Sequence, residues 1–200
     1  YGMDGVPTFA GTAAELPERW SRDAWLVARL RAQGAVFTGK THTVEMAFSG
    51  VGINPHWGTP WNPRDPEVHR IPGGSSAGAG VSLVEGSALV ALGTDTGGSI
   101  RIPASMTGTV GHKTTKGRWP TDGVVPLSTT LDTVGALTRS VADSAWFFGA
   151  IDPGQGDPDA FLASLEARRS EEIRVAVPEC GIWDACQGDI AAVLHDALDT

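Results

Sequence analysis

Two serines set among glycines, and one lysine, are the residues whose types and spacing could do chemistry in this chain. Gly73-Gly74-Ser75-Ser76 and Gly97-Gly98-Ser99 bracket a run that reads as a helix followed by a strand, and Ser99 follows Ser75 by 24 positions. Glycine lets a backbone adopt positive φ or come close to a ligand. Hydroxyls between glycines are therefore candidate nucleophiles beside backbone N–H donors. Taken singly, either turn reads equally well as punctuation, since Gly and Ser are common in turns. Lys40 stands 35 positions before Ser75, just after Ala35-Val36-Phe37-Thr38. That apolar run reads as a short buried strand, so Lys40 is expected to point into the protein from a strand end. Burial there would lower its pKa from the reference of ~10.4 and let the neutral amine act as a base.

Three motif readings compete for these residues. Gly34 to Thr41 matches G-x-x-x-x-G-K-[ST] letter for letter, the pattern of a phosphate-cradling loop. Such a loop should follow a strand and open a helix; this one follows a predicted helix, and its middle, Ala-Val-Phe-Thr, fills a strand. Gly74-Ser75-Ser76-Ala77-Gly78 matches G-x-S-x-G with Ser76 as nucleophile, but that elbow needs a strand leading in. His69-Arg70-Ile71-Pro72 is short and ends in proline, and neither His112 nor His195 has a distinctive setting. The third reading uses Lys40, Ser75 and Ser99 together.

The elements that must position them follow from local signals. Ser21 is a predicted N-cap for a helix over about 22–33, ended by Gly34. Residues 50–72, with five prolines plus Trp57 and Trp61, read as a long irregular loop of the kind that is usually functional or mobile. A helix is predicted over 77–87, then a strand over Leu89–Leu92, a Gly-rich turn over 93–99 and a strand over Val110–His112. A second polar loop spans 114–130, followed by a strand over Val134–Leu137. Ser140 caps an apolar helix from Val141 to about Ile151. Asp152 to Asp159 read as a turn, residues 160–169 as a short charged helix, and Ile173 to Val177 as a strand. Ile190, Val193, Leu194, Ala197 and Leu198 form the apolar stripe of a last helix. Alternating strands and helices predict an α/β sandwich, a mixed twisted β-sheet covered by helices on both faces.

At this point the chain resembles the amidase signature hydrolases. Lys40 with its neighbours Gly39 and Thr41, the run Pro72 to Ser76 and the run Leu92 to Ala104 carry the likeness. Leu131 to Gly135 and Arg139 to Asp143 add to it. The resemblance implies a Ser–Ser–Lys amidase that cleaves a carboxylic amide through an acyl-enzyme and releases ammonia or an amine. Ser99 would be the nucleophile, Ser75 the proton relay and Lys40 the base. The Gly74–Ser75 peptide would be cis. Backbone N–H groups of Thr96, Gly97, Gly98 and Ser99 would form the oxyanion hole. Asp95 and Arg101 would brace that turn, and Ser76 would donate a hydrogen bond near Ser75 or Lys40. Three residues depart from the family pattern: Ala77 stands for the usual Gly or Ser, Thr114 for proline, and His112 for a more apolar residue. His42 and Glu45 are expected to flank the site without facing substrate. Trp57, Trp61 and Trp119 read equally as acyl-pocket walls or loop packing.

Family members run well over twice this length. The expectation is one partial domain over 1–200, incomplete at both ends. It comprises a catalytic core over 39–118, a linker and short helix over 152–172, and a strand and helix over 173–200 that continue into a C-terminal half. An inactive fragment or scaffold piece, or an A-subunit-like component of a tRNA-dependent amidotransferase, is the alternative reading.

Bulk composition bounds the partners. The 200 residues are 41% hydrophobic and 19% charged, so a sizeable core is affordable, and 26 glycines imply many tight turns. A net charge of -8 argues against nucleic acid or an anionic membrane as a direct partner. Cys180 and Cys186 form no disulfide framework and no zinc pattern, and free thiols suit the cytoplasm. The expected partner is a small-molecule amide, without metal or organic cofactor; a homodimer stays open.

Overall fold

The structure, a computed structural model, describes residues 1–168, 173–181 and 183–199. It divides into two compact units, Tyr1–Leu165 and Glu166–Thr200.

The first unit is built around β3 (Thr133–Thr138), whose six residues are all buried. β1 (Val90–Asp95) and β2 (Val110–Lys113) pair antiparallel with its two edges, giving the order β1-β3-β2. A strand buried on both faces needs two helical layers, and its side chains alternate between them. On one face Leu137 packs with Ala91, Ile100 and Ala104 beneath Ala79 and Leu83 of α2 (Ala77–Glu85). On the other, Val134 and Ala136 meet Phe147 and Ile151 of α4 (Val141–Ile151), Leu26 and Val27 of α1 (Trp25–Ala32), and Trp119. Each large apolar side chain so buried contributes ~1.5–3 kcal/mol. The described sheet is antiparallel throughout rather than mixed.

Local chemistry sets the helix ends. Ser140 accepts from the Asp143 N–H at 3.1 Å, the predicted cap of α4. Ser21 does not cap α1, which starts at Trp25 behind Ala24 in extended backbone. α3 (Arg101–Thr107) has no counterpart in the sequence prediction. Its Pro103 lies in the first turn, where a missing N–H costs nothing. Asp152, which follows α4, is fully buried and accepts from Arg118 Nε and Nη2 at 2.6 Å each and from Trp119 Nε1 at 2.8 Å. This ties the 114–120 loop to the end of α4 and makes Trp119 a core residue.

Two predicted strands do not form. Residues 35–38 form no strand, and Val36 is 89% exposed. Residues 173–177 are likewise irregular and exposed. An apolar run records the capacity to be buried, but a strand also needs a neighbour to receive its hydrogen bonds. α5 (Pro158–Glu166) starts two residues earlier than predicted, and the end of that prediction, with the end of the 152–172 linker, lies outside the described residues. In the second unit, α6 (Gly188–Leu198) carries the expected stripe, and Trp183 stacks on His195 at 5.3 Å. Among the described residues no helix is long and apolar enough to cross a membrane.

Candidate active site

The two serine turns meet. Ser76 N–H donates to the Ser99 carbonyl at 3.2 Å, which docks the start of α2 against the turn after β1. Ser75 is buried, and its carbonyl accepts from Val44 N–H and from Thr43 Oγ1, both at 3.0 Å. The Gly74–Ser75 peptide is cis. Gly74 is fixed by space, because a Cβ there would lie 2.8 Å from Gly52 N. Ser75 Oγ is buried with no hydrogen-bond partner among the described residues. A buried hydroxyl without a partner is costly and calls for an explanation; Ser21 Oγ and His42 Nδ1 share that state.

Asp95 organises the turn that carries Ser99. It is fully buried and ends β1. One carboxylate oxygen accepts from Gly98 N–H at 2.8 Å; the other accepts from Ile100 N–H at 3.2 Å and Arg101 N–H at 3.3 Å. Arg101 closes the carboxylate with Nε at 3.0 Å and Nη2 at 2.9 Å. Burial opposes the charge on Asp95, but the guanidinium and these backbone donors outweigh it and hold its pKa below the ordinary value. Gly98 has φ +135, which favours glycine.

The same contacts revise the expected oxyanion hole. Gly98 N–H is taken by Asp95, so it leaves the donor set. The N–H groups of Thr96, Gly97 and Ser99 donate to no acceptor among the described residues. Thr96 is tethered from its side chain, donating to Asp132 Oδ1 at 2.5 Å, and Asp132 also accepts from Leu127 and Ser128 N–H at 2.9–3.0 Å. Thr43 and Asp132 were not singled out as site residues by the sequence. Their partners lie 32 and 36 positions away, and no local pattern encodes such contacts. Asn54 was also missed: its Nδ2 donates to the carbonyls of Gly11 and Thr43, and its Oδ1 accepts from His56 and Trp57 N–H. An Asn accepting from the N–H two residues on is a readable turn signal.

Lys40 makes no hydrogen bond to Ser75 Oγ. Its ammonium donates to Thr8 Oγ1 at 2.6 Å, Pro7 O at 3.0 Å and Val6 O at 3.3 Å. The residue as a whole is exposed. Its ammonium end is enclosed enough that desolvation lowers its pKa, while three acceptor oxygens favour the charged form. Thr8 Oγ1 itself donates to Trp20 O at 2.7 Å, so it turns a lone pair towards Lys40. Ser76 Oγ reaches towards Thr94 O at 3.5 Å and touches neither Ser75 Oγ nor Lys40.

The flanking residues are occupied elsewhere. His42 Nε2 lies 2.6 Å from Gly58 O, and Glu45 pairs with His56 at 3.1 Å. Trp61 stacks on His69, and Trp57 donates to Thr12 O. Ala77 sits in the first turn of α2 without positive φ, and Thr114 replaces proline with a hydroxyl that donates to Val134 O at 2.7 Å. Ala10, Met46 and Ala47 have φ of 49, 48 and 60, beside the segment that grips Ser75. Each such non-glycine residue costs ~1–3 kcal/mol and is retained where the surroundings over-determine it.

Residues 2–200 match the family model described as Amidase. The chain is 56% identical over 199 residues to a 2-amino-5-chloromuconic acid deaminase of Comamonas testosteroni, covering 99% of this chain and 42% of that protein. It is 38% identical over 194 residues to an indoleacetamide hydrolase of Pseudomonas savastanoi, covering 97% and 40%. A crystal structure of an amidase superposes with a TM-score of 0.72 at 44% identity, over 78% of this chain and 35% of that one. The chain thus spans less than half the length of the relatives it matches.

Proposed function

The chain belongs to the amidase signature family, and from that premise we propose that it hydrolyses a carboxylic amide C–N bond through an acyl-enzyme on Ser99. The observation that carries this reading is the docking of Ser75 and Ser99, through Ser76 N–H and Ser99 O, beside a turn whose Thr96, Gly97 and Ser99 N–H groups are unengaged. Ser99 Oγ attacks the carbonyl carbon and passes its proton to Ser75 Oγ, which passes its own to a base. The free N–H groups receive the oxyanion, an interaction whose loss typically costs ~10²–10³ in rate per donor. The C–N bond breaks, the nitrogen leaves protonated, and water then hydrolyses the ester on Ser99. Substrate is a small amide, and the cytoplasm is the proposed setting.

A fluorophosphonate probe tests the proposal. We expect it to modify Ser99, read by peptide mass spectrometry. An unmodified Ser99 together with no ammonia release from a panel of amides that includes indoleacetamide would end the proposal and favour an inactive scaffold piece.

Lys40 enters as the base implied by the resemblance, and to act so it must lose a proton and leave Val6, Pro7 and Thr8. Lys40→Arg separates the two roles, because a guanidinium can satisfy the same acceptors but cannot give up a proton. From the three contacts we expect labelling of Ser99 to stay within about tenfold of wild type. A fall of ~10²–10⁴, the usual worth of a general base, would make Lys40 the base after all.

A further inference from the structure

Two buried carboxylates grip the nucleophile turn from opposite ends. Asp95 holds its later part, through the N–H groups of Gly98, Ile100 and Arg101. None of those contacts reaches Thr96 or Gly97, which open the turn. Packing does not hold Gly97 either, because a Cβ placed there would meet nothing within 4 Å. What fixes this end is the Thr96 hydroxyl, which donates to Asp132 Oδ1 at 2.5 Å.

That contact follows from strand register. β1 and β3 pair antiparallel with Asp95 opposite Thr133, so one step beyond the ladder sets Thr96 against Asp132. Side chains of cross-strand neighbours lie within reach of each other. Thr133 Oγ1 secures the junction by donating to Asp95 O at 2.6 Å. Asp132 is in turn anchored through backbone and side chain alike. Its carboxylate accepts from Leu127 N–H at 2.9 Å and from Ser128 N–H at 3.0 Å. Its own N–H donates to Ser128 O at 3.0 Å, and its carbonyl accepts from Lys116 Nζ at 2.9 Å. The Thr96 side chain thus takes its position from a buried fixed point at the start of β3, not from the turn it belongs to.

We infer that Asp132 is a positioning residue for the proposed amide cleavage: through the Thr96 hydroxyl it aims the Thr96 and Gly97 N–H groups at the place where the carbonyl oxygen gathers charge. This rests on the acyl-enzyme reading. Donors of this kind act because they are already aimed when charge develops. A misplacement of about 1 Å, caused far from the reacting atoms, can cost ~10²-fold in rate. Asp132 acts on substrate only through Thr96, so its loss should fall on kcat and spare KM.

Thr96→Val removes the hydroxyl and nearly keeps the shape, while Asp132 retains Leu127 and Ser128 N–H. Its kcat for ammonia release is expected to fall by about 10–100-fold with KM within about twofold of wild type, and fluorophosphonate labelling of Ser99 should slow in parallel. Thr96→Ser, which keeps the hydroxyl, should recover most of that loss. Asp132→Asn should also lower kcat, and the double variant with Thr96→Val should be no slower than the slower single one, because the two residues form one tether. The two Thr96 variants decide the matter even if Asp132→Asn does not fold. A merely structural tether would lower the melting temperature and leave the kcat of folded protein unchanged; that result overturns the inference while the acyl-enzyme stands. A rise in KM alone overturns it too, since Thr96 would then be a substrate contact. A wild-type chain that neither labels nor releases ammonia ends the amidase reading, and this inference with it.

Discussion

Ser99→Ala is expected to remove the amide turnover proposed above, by a factor on the order of 10⁶, as for other serine nucleophiles. The fold should survive. Ser99 is held through its carbonyl, which accepts from Ser76 N–H, and the turn is held by Asp95. Neither contact uses the hydroxyl, so the stability change should stay below ~1 kcal/mol. Ser75→Ala should also cost little stability, because Ser75 Oγ has no partner to lose among the described residues. Its effect on rate should be severe, and the double variant should be no slower than Ser99→Ala alone, since members of one relay are not additive. Turnover is measured as ammonia release, and folding by thermal melts. A Ser99→Ala protein that releases ammonia at the wild-type rate would sink the acyl-enzyme; a melt lowered by several degrees would mean the hydroxyl is structural.

Much of this frame is legible in the sequence where the cause is local. The cap at Ser140, the apolar stripe of α6 and the glycine turns around Ser75 and Ser99 all follow from contacts a few residues long. What escapes depends on distant partners. Ala35 to Thr38 and Ile173 to Val177 carry strand composition, yet pairing is decided by what lies beside them. Lys40 goes to Thr8 and the carbonyls of Val6 and Pro7, more than thirty positions earlier, and nothing around Lys40 announces those acceptors. Asp95 is half legible. Its place beside the nucleophile turn suggests a brace, but only the fold shows that the brace takes Gly98 N–H out of the oxyanion set.

That brace carries the second large effect. Asp95→Ala should lower stability by ~3–5 kcal/mol, the usual result of breaking a buried charged network. At ~2–4 °C per kcal/mol for a chain of this size, the melting temperature falls by on the order of 10 °C. Arg101→Ala should cost much less. The Arg101 side chain is 54% exposed, so solvent screens its share, and Asp95 keeps its donors at Gly98, Ile100 and Arg101 N–H. A pH series distinguishes a charged brace from mere filling of space. The folded-state pKa of Asp95 is lowered from an unfolded value of ~3.9. Its stabilisation is therefore fully present above about pH 4 and is lost as pH falls through the lowered folded value. Asp95→Asn should show a shallower acid loss of stability than wild type, and its Ser99 should label more slowly, because an amide cannot accept from every donor that the carboxylate now holds. Equal acid slopes in the two proteins would mean that Asp95 does not stabilise the turn as a charge.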